Sequence, residues 1–100
     1  MTKLLGDKEE MVCLPVLRGP LKGARFRLDL IYRKEASYFL GTYDPDKLKK
    51  ISRFMRKGMT IWDCGAYLGY YTVFFARFVG PEGKVVVFEP DPRNMLRIIV

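Results

Sequence analysis

Residues 24–30 alternate between apolar and polar positions, with Ala24, Phe26, Leu28 and Leu30 on one face and Arg25, Arg27 and Asp29 on the other. A period of two marks a strand with one buried face. Residues 12–18 are also apolar but contain Pro15, which suits an edge strand because proline cannot donate to a ladder. Gly19-Pro-Leu-Lys-Gly23 between the two runs has turn chemistry. The pair predicts a β-hairpin beside the main domain.

The period changes further on. Leu48, Ile51 and Met55 recur at helical spacing, with Lys49, Lys50, Arg53, Arg56 and Lys57 largely off that stripe. Asp44-Pro45 is a start signal, the acid as cap and the proline at the first helical position, and Gly58 is a stop. An amphipathic helix over 45–57 follows. No aromatic is interleaved on its basic face for base stacking, so the face is read as solvated and no nucleic-acid partner is expected.

Next comes a strand over 59–64, then a helix over 70–79 that is apolar on most sides apart from Thr72 and Arg77. Such a helix is covered by its neighbours. Gly80-Pro-Glu-Gly83 makes a turn, residues 84–88 make a strand of the kind buried on both faces of a parallel sheet, and Asp91-Pro92 opens another helix. The order β-α-β-α predicts an α/β chain, the N-terminal part of a Rossmann-like doubly wound fold, with strands 59–64 and 84–89 side by side. The last helix ends in mid-pattern at Val100 without a cap, and two strands cannot cover the apolar residues present. The chain is therefore expected to be the front of a longer protein. Its parts divide as a hairpin extension over 1–35, a connecting segment and helix over 36–58, and the first half of a ligand-binding domain over 59–100.

At 49% hydrophobic and 14% aromatic residues, the composition is that of a folding chain. The net charge of +7 is concentrated before the glycine turn: residues 1–58 hold 14 Lys and Arg against 7 Asp and Glu, and residues 59–100 hold 4 against 4. A basic half can serve an anionic partner, although solvated basic patches are common. Met1–Glu10 contains acids and no continuous apolar run, unlike a signal peptide, and the apolar stretch around 66–76 is shorter than the ~18 residues of a membrane span. A cytoplasmic protein is expected. With no histidine and two cysteines, Cys13 and Cys64, neither a metal site nor a Cys-His pair is expected, and both thiols are read as buried.

The chemistry is concentrated in Thr60-Ile-Trp-Asp-Cys-Gly-Ala-Tyr-Leu-Gly69 and the following Val85-Val-Val-Phe-Glu89. A strand, a glycine-bracketed turn, a helix and a second strand ending in an acid make a nucleotide-binding arrangement. A dinucleotide fingerprint needs a middle glycine that lets the backbone touch a pyrophosphate. Here that position is Ala66 or Tyr67, depending on the frame, so the ligand is read as lacking a pyrophosphate. Asp63 would repel a phosphate but suits an ammonium, directly or through water. Glu89 suits the two hydroxyls of a ribose. S-adenosyl-L-methionine offers both groups. Tyr67, Tyr43 or Phe39 are candidates to meet its sulfonium or adenine.

Ile61-Trp-Asp-Cys-Gly-Ala-Tyr-Leu-Gly-Tyr-Tyr-Thr72, then Val79-Gly-Pro-Glu-Gly-Lys-Val-Val-Val-Phe-Glu-Pro-Asp-Pro-Arg-Asn94, resembles the FkbM-type S-adenosylmethionine-dependent methyltransferases. Tyr38-Phe-Leu-Gly-Thr-Tyr43, followed by an acid-Pro pair, is similar to the segment before the core of such proteins. The resemblance covers residues 36–100 well and the hairpin loosely. It implies that Asp63, Gly65, Ala66 and Gly69 line the methionine end of the cofactor, that Glu89 holds the ribose, and that Pro90 and Asp91 lie near the adenine. Cys64 departs from the usual small aliphatic residue by a group of similar volume. The resemblance implies methyl transfer, most simply to a hydroxyl of a small molecule, sugar or lipid. The strands that would carry the acceptor site and a base are absent, and no catalytic residue is assigned. Two other readings stand beside it: half of an NAD-dependent oxidoreductase domain, and a non-catalytic basic module using residues 47–57.

Overall fold

The computed structural model describes residues 11–98. The readings of Met1–Glu10 and of Ile99 and Val100 lie outside the described residues. The chain is α/β, with two two-stranded sheets and four helices among the described residues. It divides into two units, Met1–Tyr43 and Asp44–Val100.

In the first unit, β1 (Val12–Pro15) pairs antiparallel with β2 (Arg25–Leu28), Val12 opposite Leu28 and Pro15 opposite Arg25. The ladder continues past Pro15 through Val16 N–H to the Ala24 carbonyl at 2.8 Å, and the Gly19–Gly23 segment turns the chain as its residues predict. Phe26 and Leu28 are buried and Arg25 and Arg27 exposed, which is the predicted alternation. The pattern fails at its last two positions. The strand ends at Leu28, Leu30 is exposed, and Asp29 is buried. Its amide donates to Glu35 Oε1 at 2.8 Å and its Oδ1 accepts from Ile31 N–H at 3.2 Å. These bonds turn the chain into α1 (Arg33–Leu40), a helix that periodicity did not reveal because Glu35 is one of its buried residues. Phe26 meets Tyr38 edge-on at 5.9 Å between ring centroids.

In the second unit, α2 (Pro45–Ser52) buries Leu48 and ends five residues before the predicted limit. Ser52 Oγ bonds back to the Lys49 carbonyl at 2.6 Å, and the amides of Arg53, Phe54 and Met55 reach carbonyls three residues behind. Such bonds tighten and finish a helix. Asp44 occupies the capping position without capping: at φ 47° its side chain makes no bond to the helix amides. It accepts instead from Tyr71 Oη at 2.9 Å.

β3 (Thr60–Cys64) and β4 (Lys84–Phe88) pair in parallel, Thr60 opposite Lys84 and Cys64 opposite Phe88, joined by the crossover helix α3 (Tyr70–Val79). The helix packs on one face of the sheet, where Ile61, Asp63, Val85 and Val87 point. The opposite face carries Trp62, 69% exposed, and Phe88, their rings 5.7 Å apart. The expectation that β4 is buried on both faces is thus corrected: Val85, Val86 and Val87 are half-buried and Lys84 and Phe88 exposed. A two-stranded sheet with a helix on one face has nothing of its own to cover the other. Of the ten residues of α3, Tyr70, Thr72, Phe74 and Val79 are buried, Arg77 is exposed and the other five are half-buried. The two cysteines are corrected as well, since both are free and exposed. Cys13 faces outward on an edge strand, and Cys64 shares the open face with Trp62.

Gly83, in the turn before β4, admits close packing: a Cβ there would overlap the Val79 side chain and stand 2.8 Å from the Met59 carbonyl. One more turn, α4 (Pro92–Met95), follows β4.

Candidate functional site

The site lies at the carboxyl ends of β3 and β4, where a parallel pair leaves its outgoing loops side by side. Gly65 and Gly69 sit at φ 78° and 87°, the left-handed region that glycine enters freely. Tyr67 is there too, at φ 54°, a conformation costly for a side chain of its size.

The bonds of the loop hold it in this shape. The amides of Gly65 and Ala66 both donate to the Phe88 carbonyl, at 2.7 and 3.2 Å. The Tyr67 amide donates to Glu89 Oε1 at 2.7 Å, and the Asp91 amide donates to Glu89 Oε2 at 2.9 Å. Three successive amides of the glycine turn are thus directed at the end of β4. Glu89 ties the loop after β3 to the loop after β4. The amides of Gly65, Ala66 and Tyr67 are therefore engaged within the protein.

Asp63 ends the buried side of β3 and is itself buried. Its Oδ2 accepts from Thr72 Oγ1 at 2.6 Å, which ties the strand to the first turn of α3 rather than capping the helix. Thr72, fully buried, was missed as a site residue. The signal was its place as a small polar residue in a mostly apolar helix. The Phe88 carbonyl was missed as well, and no side-chain pattern could announce it.

Gly69 opens α3 at its N-cap, and a Cβ at this position would stand 3.0 Å from Ile98 Cγ2. Residues just after α4 therefore pass over the turn. Ala66 is buried, Pro90 is exposed, and Asp91 is half-buried. Asp91 caps α4 by accepting from the Arg93 amide at 2.9 Å, and its carboxylate also holds the Arg93 guanidinium, Oδ1 to Nε at 3.2 Å and Oδ2 to Nη2 at 3.0 Å. The side-chain bond from Arg93 keeps the Asp91 carboxyl below its ordinary range. The structure thus gathers Gly65, Ala66, Tyr67, Glu89 and Asp91 into one bonded cluster. Asp63 stands behind it, facing α3.

An ionised carboxylate offers about four lone-pair directions. Glu89 uses two, one on each oxygen, and each oxygen keeps one for a hydroxyl donor. A vicinal diol can meet a carboxylate in this two-point way. An ammonium fits Asp63 less directly, since the carboxylate is covered and engaged by Thr72, and a bridging water is the chemistry left to it. No group of three or more His, Cys, Asp or Glu able to hold a metal occurs among the described residues. None of their helices is long and apolar enough to cross a membrane.

Comparison of the chain with family models, with curated proteins and with solved structures finds no match.

Proposed function

We propose that residues 59–98 form the nucleoside-binding part of an S-adenosylmethionine-dependent methyltransferase, with Glu89 as the ribose ligand. The observation that supports this most is the fixing of the Glu89 carboxylate by two backbone amides, which orients one free lone pair on each oxygen before any ligand arrives. Preorganised acceptors bind with less loss of side-chain freedom. The bound cofactor would supply a methyl group activated on a sulfonium, for displacement by a hydroxyl of a small-molecule acceptor.

The residues have distinct parts in this reading. Gly65 and Gly69 allow the loop its left-handed turns, and Ala66 fills the space beneath it. Asp63 orders the strand end through Thr72 and offers negative charge toward the amino-acid head. Pro90 and Asp91 shape the adenine side. The NAD-dependent reading loses support because the amides of Gly65, Ala66 and Tyr67, which a pyrophosphate would need, are already bonded to Phe88 and Glu89.

Isothermal titration with S-adenosylmethionine, S-adenosylhomocysteine and NAD tests the proposal. Binding of the first two and not the third is expected. Glu89→Gln, which replaces one acceptor oxygen by a donor, should weaken binding roughly tenfold while the circular dichroism stays unchanged. Equal affinity in the Gln variant, or no binding of either sulfur nucleoside, would overturn it.

A further inference from the structure

The second unit carries a surface that the glycine turn does not use. Residues 47–57 hold six exposed cations, Lys47, Lys49, Lys50, Arg53, Arg56 and Lys57. Lys47 stands 3.7 Å from the Asp44 carboxylate. The other five form no ion pair among the described residues. Helical spacing sets Lys49, Lys50 and Arg53 on a strip opposite the buried Leu48 and half-buried Ile51.

At the end of that strip Phe54 is 80% exposed. The tight turn that closes α2 holds it there: the Phe54 amide bonds to the Ile51 carbonyl at 2.9 Å, and the next residue, Met55, is the one turned inward. The sequence pattern passed over Phe54 because it lies off the apolar stripe.

A phenyl ring standing in water is stabilised by entering an apolar phase, and the cations around it are stabilised by an anionic one. An anionic bilayer offers both, with negative headgroups lying over hydrocarbon. We propose that residues 47–57 dock the protein on an anionic membrane surface, with Phe54 entering the boundary between headgroups and acyl chains while Lys49, Lys50, Arg53, Arg56 and Lys57 face the lipid phosphates. Single-stranded nucleic acid would match the charge, but its binding relies on successive bases stacking on several aromatic rings, and this segment has one. The inference is independent of the methyltransferase reading.

The test is co-sedimentation of the chain with vesicles of phosphatidylcholine alone and with vesicles that also contain phosphatidylserine, beside fluorescence polarisation with a single-stranded oligonucleotide. Binding to the phosphatidylserine vesicles and not to the neutral ones is expected. Phe54→Ser should weaken it about tenfold or more, and Phe54→Leu should restore most of it, which separates insertion from any effect on folding. Lys49→Glu with Arg53→Glu should abolish it. Vesicle binding indifferent to Phe54→Ser, oligonucleotide binding without vesicle binding, or binding to neither overturns the proposal.

Discussion

The Tyr67 amide donates to Glu89 Oε1 at 2.7 Å, across 22 residues of sequence, and holds a tyrosine in the left-handed region at φ 54°. A strained residue persists where its surroundings over-determine it. Here the constraint comes from the carboxylate that also takes the Asp91 amide, so one side chain sets the shape of two loops. Glu89→Ala leaves two amides without acceptors and should lower the unfolding free energy by about 1–3 kcal/mol, read from urea denaturation. Glu89→Gln keeps one acceptor and should cost less. Equal losses in the two variants would mean that the bonds do not hold the loops.

Thr72→Val should destabilise by about 1–3 kcal/mol, because it removes the donor to a buried carboxylate at nearly constant volume. Asp63→Asn can keep a bond from the Thr72 hydroxyl through its amide oxygen and should be milder. Thermal melts of the two variants and their double mutant measure the coupling, which should be non-additive for groups in direct contact.

Gly83→Ala should destabilise by about 1–3 kcal/mol, the range for overpacking, since the added methyl overlaps Val79 and meets the Met59 carbonyl. Adding Val79→Ala should recover part of the loss by vacating the space. A chemical denaturation series on the three variants decides it; no recovery would place the cost in the backbone instead.

Arg93 holds the Asp91 carboxyl below its ordinary value of 3.8. A carboxyl depressed in the folded state adds stability that is complete above the ordinary range and is lost as pH falls through the lowered value. The Arg93 guanidinium stands in solvent and the effect is therefore small and weakened by salt. Carbon-detected NMR titration should show the Asp91 midpoint rising in Arg93→Gln. An unchanged midpoint would remove Arg93 as the cause.

Both thiols should react with iodoacetamide in the native protein, since Cys13 and Cys64 are exposed. Intact-mass analysis at neutral pH should show two additions without denaturant. A single addition would mark one thiol as covered.

Much of this architecture was legible from local pattern. The two strand periods, the turn glycines and the Pro-opened helices announced β2, α2, β3, α3, β4 and the start of α4, because such signals act within a few residues of themselves. The positions of Gly65, Gly69 and Glu89 at the ends of parallel strands were legible for the same reason. Helix α1 was not, since an acid at a buried position breaks the apolar stripe, and the Asp29 amide that meets it there lies outside the helix. The end of α2 at Ser52 was not, since Gly58 looked like the stronger stop.

The sequence by itself determined that the chain is α/β, where its elements lie and which acids stand at the strand ends. Tertiary structure decided how those acids are used. Glu89 is bound to two amides 22 residues behind and two ahead of it in sequence, Asp63 to a hydroxyl nine residues ahead, and Asp44 to a tyrosine 27 residues ahead instead of to its own helix. A carboxylate's partners are set by what folding brings within about 3 Å of it, and most of those groups are remote along the chain. The same reason governs Trp62, Phe88 and both cysteines. Their residue types favour burial, but a two-stranded sheet covered by a helix on one face leaves the other open.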